Sequence, residues 1–224
     1  MAAEPREFHG LLHLCRAVRK LRWPVHWART AESGARRFWM VANGAGAAHA
    51  AQAVDVAVTA CQPQAIVSMG FCGALDPALD IGDIVVATAV LGAPVVCPET
   101  EKHQKVFSAP VSSLDHVVQT AAEKATLRAS GAWAVEMEAA GVAGRAAHHG
   151  IPFFCVKSVT DAAGQTFIVD FNKALRRDGH FGTIRILTSA LHNPWKAFPE
   201  LIRLSCSCRI AARTLGEFIA GCRF

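Results

Sequence analysis

The chain has 224 residues, 52% hydrophobic and 18% charged, a balance that excludes an intrinsically disordered polypeptide and fits one α/β domain over residues 1–224 with a continuous core. The formal charge of +5, from 23 basic and 18 acidic side chains, gathers near the ends and accompanies no nucleic-acid motif. The longest apolar run, Ile84 to Cys97, is 14 residues broken by Gly92 and Pro94, too short to span a bilayer.

In chain order, Phe8, Leu11, Leu12, Cys15, Val18 and Leu21 share one helical face, which predicts an amphipathic helix over residues 8–21. A strand follows at Phe38–Ala42, then Asn43 to Gly46 lead into an alanine-rich helix ending near Cys61. Gln64–Met69 and Gly82–Val90 read as strands buried on both faces. A loop is expected from Pro94 to Pro110 and a helix from Asp115 to Ala129. Ala132–Val135 forms a strand and Met137–His149 a helix stopped by Gly150. Pro152 then opens the apolar strand of Phe153, Phe154, Cys155 and Val156, and a helical tail completes the chain. Strands alternating with helices imply a mostly parallel or mixed central sheet flanked by helices.

The eight cysteines form no CxxC pair and no zinc-ligand spacing, so they are read as structural thiols of a reduced, cytoplasmic protein. His148 and His149 are read as favourable charge at a helix C-terminus, and no metal or cofactor is expected. The terminal basic residues read first as solvated helix faces. Peripheral membrane contact is the second reading, because LIRLSCSCRIAARTLGEFIAG interleaves basic and apolar residues at helical spacing. The high apolar content also suggests a subunit interface, hence a homodimer or larger homo-oligomer.

Three carboxylates, Glu136, Glu138 and Asp161, fall where predicted buried strands end. In open α/β sheets that is where ligands bind, so a polar pocket is expected there.

VSMGFCGALDPALDIGDIVVA at 67–87, AVEMEAAGVA at 134–143 and PFFCVKSVTD at 152–161 together resemble the purine nucleoside phosphorylase and nucleosidase superfamily, over about Ala2 to Asp161. The tail motifs DFNKAL, HNPWKAF and LGEFIAGCRF are most similar to the hopanoid-associated phosphorylase branch, a sibling of the methylthioadenosine/S-adenosylhomocysteine nucleosidases. The resemblance implies a nucleoside phosphorylase-like fold, a small-molecule nucleoside substrate and cleavage of its N-glycosidic bond. Relatives begin with a hydrophobic strand absent from this sequence, so either the start lies upstream or the sheet has lost a member and exposes an edge that needs cover, and a shortened N-terminus is the favoured reading.

Bond cleavage leaves positive charge on the ribose and negative charge on the purine, which suits carboxylates near the sugar and an acid near the base. By resemblance, Asp161 donates to purine N7, steered by the Thr160 hydroxyl, and needs partial desolvation to hold a proton near neutrality. Glu138 accepts from the ribose 2′ and 3′ hydroxyls, Glu136 supports it, and Met137 meets the sugar or its 5′ substituent. Glu7 activates the attacking water, with Glu4 as the alternative, on a loop that the absent strand would leave unsupported. Gly70, Phe71, Cys72 and Gly73 line the nucleoside pocket, and glycines there and at Gly44 and Gly46 permit close backbone approach.

Where hexameric phosphorylases place a phosphate-binding arginine and serine, this chain has Ser68 and Phe71, so water is expected as the nucleophile. Where nucleosidases stack an aromatic ring on adenine, it has Val117 and Val118, which pack without stacking. These departures imply a substrate held through a large apolar 5′ group, such as adenosylhopane. A methylthioadenosine/S-adenosylhomocysteine nucleosidase, a true phosphorylase and a noncatalytic nucleoside-binding homologue stand as alternatives.

Overall fold

The computed structural model describes residues 1–91, 93–100 and 105–224. A 3-10 turn, Pro5–Phe8, runs into α1 (His9–Leu14), followed by an antiparallel meander of β1 (Arg16–Lys20), β2 (Trp27–Ser33) and β3 (Arg36–Ala42). Then come α2 (Ala47–Cys61), β4 (Ile66–Ala74), β5 (Ile84–Val90), β6 (Ala93–Pro94), β7 (Val106–Ser113), α3 (Ala121–Ala129), β8 (Ala134–Glu136), α4 (Ala139–His148) and β9 (Phe153–Asp161). The tail is α5 (Phe171–Ala174), α6 (Thr183–Ala190) and the long α7 (Pro194–Gly221).

The larger sheet has the order β6-β5-β7-β8-β4-β9, and β9 pairs back onto β5, so five strands close on one another. Its pairings are mixed: β4 with β9, β5 with β7 and β7 with β8 run parallel, while β4 with β8 and β5 with β9 run antiparallel. Closure puts β5 and β9 in apolar surroundings on both faces, with Val85, Ala87, Cys155 and Val159 buried on one and Ile84, Val86 and Val156 on the other.

Four expectations are corrected. The helix over residues 8–21 stops at Leu14. Cys15 is extended, and Arg16–Lys20 forms an exposed edge strand bulged at Ala17, whose positive charges suit an edge better than a core face. Part of the loop expected from Pro94 to Pro110 lies outside the described residues, but Val106–Ser113 is a strand because β5 and β8 supply parallel partners on both sides. The helix expected from Asp115 begins only at Ala121, where the Thr120 hydroxyl caps Glu123 N at 3.2 Å. The helix expected from Met137 begins at Ala139, with Glu138 as its N-cap residue.

Met1–Ala3 lie between the two sheets. Met1 N donates to Val67 O (2.7 Å), Met69 N to Met1 O (2.9 Å), Ala2 N to Val41 O (3.0 Å) and Gly44 N to Ala3 O (2.9 Å). Three residues thus cover the sheet edge expected to be open. Just beyond them, α1 packs on α7 at a crossing that needs glycine. A Cβ added to Gly10 would lie 2.1 Å from Ala212 O, and one added to Gly216 would lie 2.1 Å from Leu11 N. That crossing seats the Pro5–Phe8 turn against the sheet.

Candidate active site

A cavity of about 460 Å³ opens where β4, β8 and β9 end, beside the Pro5–Phe8 turn. Glu7, Glu136, Glu138, Thr160 and Asp161 line its polar part, and Phe167, Phe171, Phe181, Ile186, Leu201 and Leu204 its apolar part. The three acids expected to converge, together with Glu7, therefore share one space.

Glu7 is buried, and both its oxygens accept backbone hydrogen bonds, from Glu4 N at 2.7 Å and Phe71 N at 2.9 Å. The turn is held rather than loose, contrary to the expectation for a segment lacking its strand. Burial raises the Glu7 pKa, and the two backbone donors and the Lys157 charge oppose that rise only in part. Gly70 does not line the cavity. It stands behind Glu7, where a Cβ would come 2.5 Å from Oε1, so its role is to make room for that carboxylate.

Glu136 closes β8 and is saturated: Glu138 N and Ala139 N donate to it at 2.9–3.0 Å, and Lys157 Nζ stands 2.7 Å away. Burial pushes its pKa up, but the Lys157 charge and the donors outweigh burial and hold it below the usual value. Glu138 Oε1 accepts from Gly46 N at 3.1 Å, and Oε2 lies 3.8 Å from Lys157 Nζ. One buried ammonium thus serves two buried carboxylates, and the nearer takes most of the benefit. Burial, with repulsion from Glu136 and Glu7, raises the Glu138 pKa despite Lys157. Glu138 lines the cavity, where its carboxyl can accept from a diol once ionised.

Asp161 ends β9. The Thr160 hydroxyl donates to its Oδ1 at 3.0 Å, and Lys124 Nζ donates to Oδ2 and, at 2.7 Å, to Ala162 O. Burial raises its pKa and the Lys124 charge opposes the rise. A Cβ on Gly73 would approach Oδ2 to 2.9 Å, so the glycine keeps space for the carboxylate. Phe71, Cys72, Gly73, Met137, Val117 and Val118 all line the cavity.

Sequence reasoning missed both buried lysines. Lys157 interrupts the apolar run of β9, and a lone charge in a strand buried on both faces was the available signal. Lys124 sits in a short polar helix that reads as a surface element, with no local mark of burial. It also missed two rings of the cavity wall. Phe167 and Phe171 meet edge to face at 5.2 Å, and Asn172 clamps the Val117 backbone through two 2.8 Å bonds. Ser68 is wholly buried away from the cavity, and Arg6 at the rim pairs with Glu4 at 2.6 Å. Among the described residues no group of His, Cys, Asp and Glu could hold a metal, and no helix is long and apolar enough to cross a membrane.

The model of the Phosphorylase superfamily matches residues 27–119 and 111–180. A 5′-methylthioadenosine/S-adenosylhomocysteine nucleosidase of Bacillus cytotoxicus is 24% identical over 168 residues, covering 61% of this chain and 73% of that protein. The structure is similar to Streptococcus pneumoniae MTA/SAH nucleosidase in complex with 8-aminoadenine, with a TM-score of 0.68, 18% identity, and 98% and 97% of the two chains covered. Futalosine hydrolase of Helicobacter pylori also gives a TM-score of 0.68 at 18% identity, with 97% and 93% covered.

Proposed function

Because the chain belongs to the Phosphorylase superfamily, we propose that its cavity is the active site of a purine nucleoside N-glycosidase that uses water as nucleophile. The observation that carries this reading is the convergence of Glu7, Glu138 and Asp161 on one buried space, each carboxylate oriented by its own donors. Glu7 takes a proton from water, whose oxygen bonds to C1′ as the C1′–N9 bond breaks. Glu138 accepts from the ribose hydroxyls and gains strength as the ring becomes cationic, while Asp161 gives purine N7 the proton that neutralises the departing base. Ser68 and Phe71 support water over phosphate, since neither brings charge to the nucleophile's side.

The apolar part of the cavity, built on α5, α6 and α7, supports an adenosyl substrate with a large apolar 5′ group, such as adenosylhopane in hopanoid synthesis. The named relatives support a second reading, cleavage of methylthioadenosine or S-adenosylhomocysteine. We place the enzyme in the cytoplasm as a single-domain homo-oligomer, with peripheral membrane contact as the second reading after solvated helix faces. Support for that contact is the exposed set Ile184, Leu187, Leu191, Trp195 and Ile202. Arg185, Lys196 and Arg203 lie among these residues along the chain. Incubating the protein with adenosine, methylthioadenosine and an adenosylated lipid, with and without phosphate, tests the assignment. Phosphate-independent adenine release is expected, fastest from the lipid. Ribose 1-phosphate formation would assign a phosphorylase, and release from none would leave a binding protein. Asp161→Asn is expected to lower kcat about 10²–10⁴-fold in a folded protein.

A further inference from the structure

Lys124 is wholly buried, does not line the cavity, and touches the acid from behind the cavity wall. Its ammonium has three protons: one goes to Asp161 Oδ2, one to Ala162 O, and the group sits 5.7 Å from the Phe167 ring centroid. Helix α3 holds it there. The Thr120 cap fixes the start of that helix, and an Arg128–Asp76 ion pair of 2.5 Å ties its last turn to the loop after β4. A buried ammonium is expensive to desolvate, and its partner here is the one group the reaction needs as a proton donor.

We propose that Lys124 is the positioning residue of the glycosidic cleavage: by anchoring Asp161 Oδ2 from behind, it turns Oδ1 toward the purine and sets the pH range over which Asp161 acts as an acid. This rests on the nucleosidase reading above. Glu7, Glu136, Glu138 and His116, whose pKa its Asp115 and Glu123 partners raise, share the cavity with Asp161 without touching it, and Cys72 on β4 and Cys208 on α7 also face it; burial pushes both thiols up, Cys208 to about 11. Both thiols stay neutral across the working range. Among the described residues, Lys124 is thus the cation in contact with Asp161, and it favours the carboxylate over the carboxylic acid. The consequence is a stronger acid that is protonated over a lower pH range.

The test is the pH profile of kcat/KM for adenine release from methylthioadenosine or the best substrate found, in the wild type, Lys124→Met and Lys124→Arg. Lys124→Met removes the charge and is expected to move the alkaline limb up by about one unit or more, with a lower kcat. Lys124→Arg keeps a buried cation and the position of the limb, but its longer fork displaces the carboxylate and lowers kcat at least about tenfold. An unmoved limb in folded Lys124→Met overturns the proposal. If that variant does not fold, as circular dichroism would show, wild-type kcat in Lys124→Arg overturns it instead. Full turnover in Asp161→Asn would remove the acid itself, a failure of the parent reading that neither lysine variant could produce.

Discussion

Gly70→Ala perturbs catalysis without altering any group that touches the substrate. Gly70 has φ of 151°, and a Cβ built there would sit 2.5 Å from Glu7 Oε1, whereas ordinary contact begins at 3.4 Å. The carboxylate must retreat by about 0.9 Å, which stretches the 2.9 Å bond from Phe71 N beyond hydrogen-bond length. A misplacement of about 1 Å in a base that must meet a water costs on the order of 10²-fold in kcat. KM should stay within about threefold, because Glu138 and the base pocket are untouched. Backbone strain at that φ adds about 1–3 kcal/mol of destabilisation, or a Tm loss of about 2–4 °C per kcal/mol in a chain of this size. Steady-state adenine release with calorimetry on the same sample separates the two effects. A folded Gly70→Ala with wild-type kcat would show that Glu7 is not the base.

Lys157→Met leaves Glu136 and Glu138 buried without their cation and should cost about 3–5 kcal/mol in urea denaturation, while a loss under about 1 kcal/mol would mean that the carboxylates are already neutral. Burial pushes the Glu138 pKa up to about 8, so the ionised diol acceptor is gained only as pH rises through about 8. KM for a nucleoside should therefore fall with rising pH in the wild type and stay flat in Glu138→Gln. The stability sign is opposite: the raised pKa favours folding most below about 4.5, and that share is lost as pH rises through the folded value. Leu204→Asp places a charge in the apolar part of the cavity and should lower kcat/KM at least about tenfold for a 5′-apolar substrate while leaving adenosine within about threefold. Equal losses for both would show that the 5′ group does not reach α7.

The sequence by itself determined which segments are buried strands and that acids follow them, though β4 runs on to Ala74 and β9 to Asp161, past the expected Met69 and Val156. Burial on both faces makes β4, β5 and β9 largely apolar, and against that background Glu136 at the end of β8, Glu138 just beyond it and Asp161 at the end of β9 stand out as the points where the sheet meets a cavity. Gly44, Gly70 and Gly73 were legible as places of close approach, though not what approaches them, while a Cβ on Gly46 would meet open space. Tertiary structure decided the rest. Arg16–Lys20 has helical spacing but becomes an edge strand because β2 offers it partners, and Val106–Ser113 becomes a strand because two neighbours flank it. Closure of β9 onto β5 has no local signature at all. Likewise Glu7 meets Phe71 across 64 positions and Lys124 meets Asp161 across 37, so neither contact is written in a short window. Chain periodicity reports which face an element buries; only packing brings a distant donor to a carboxylate, and that contact sets where the carboxylate points and when it ionises.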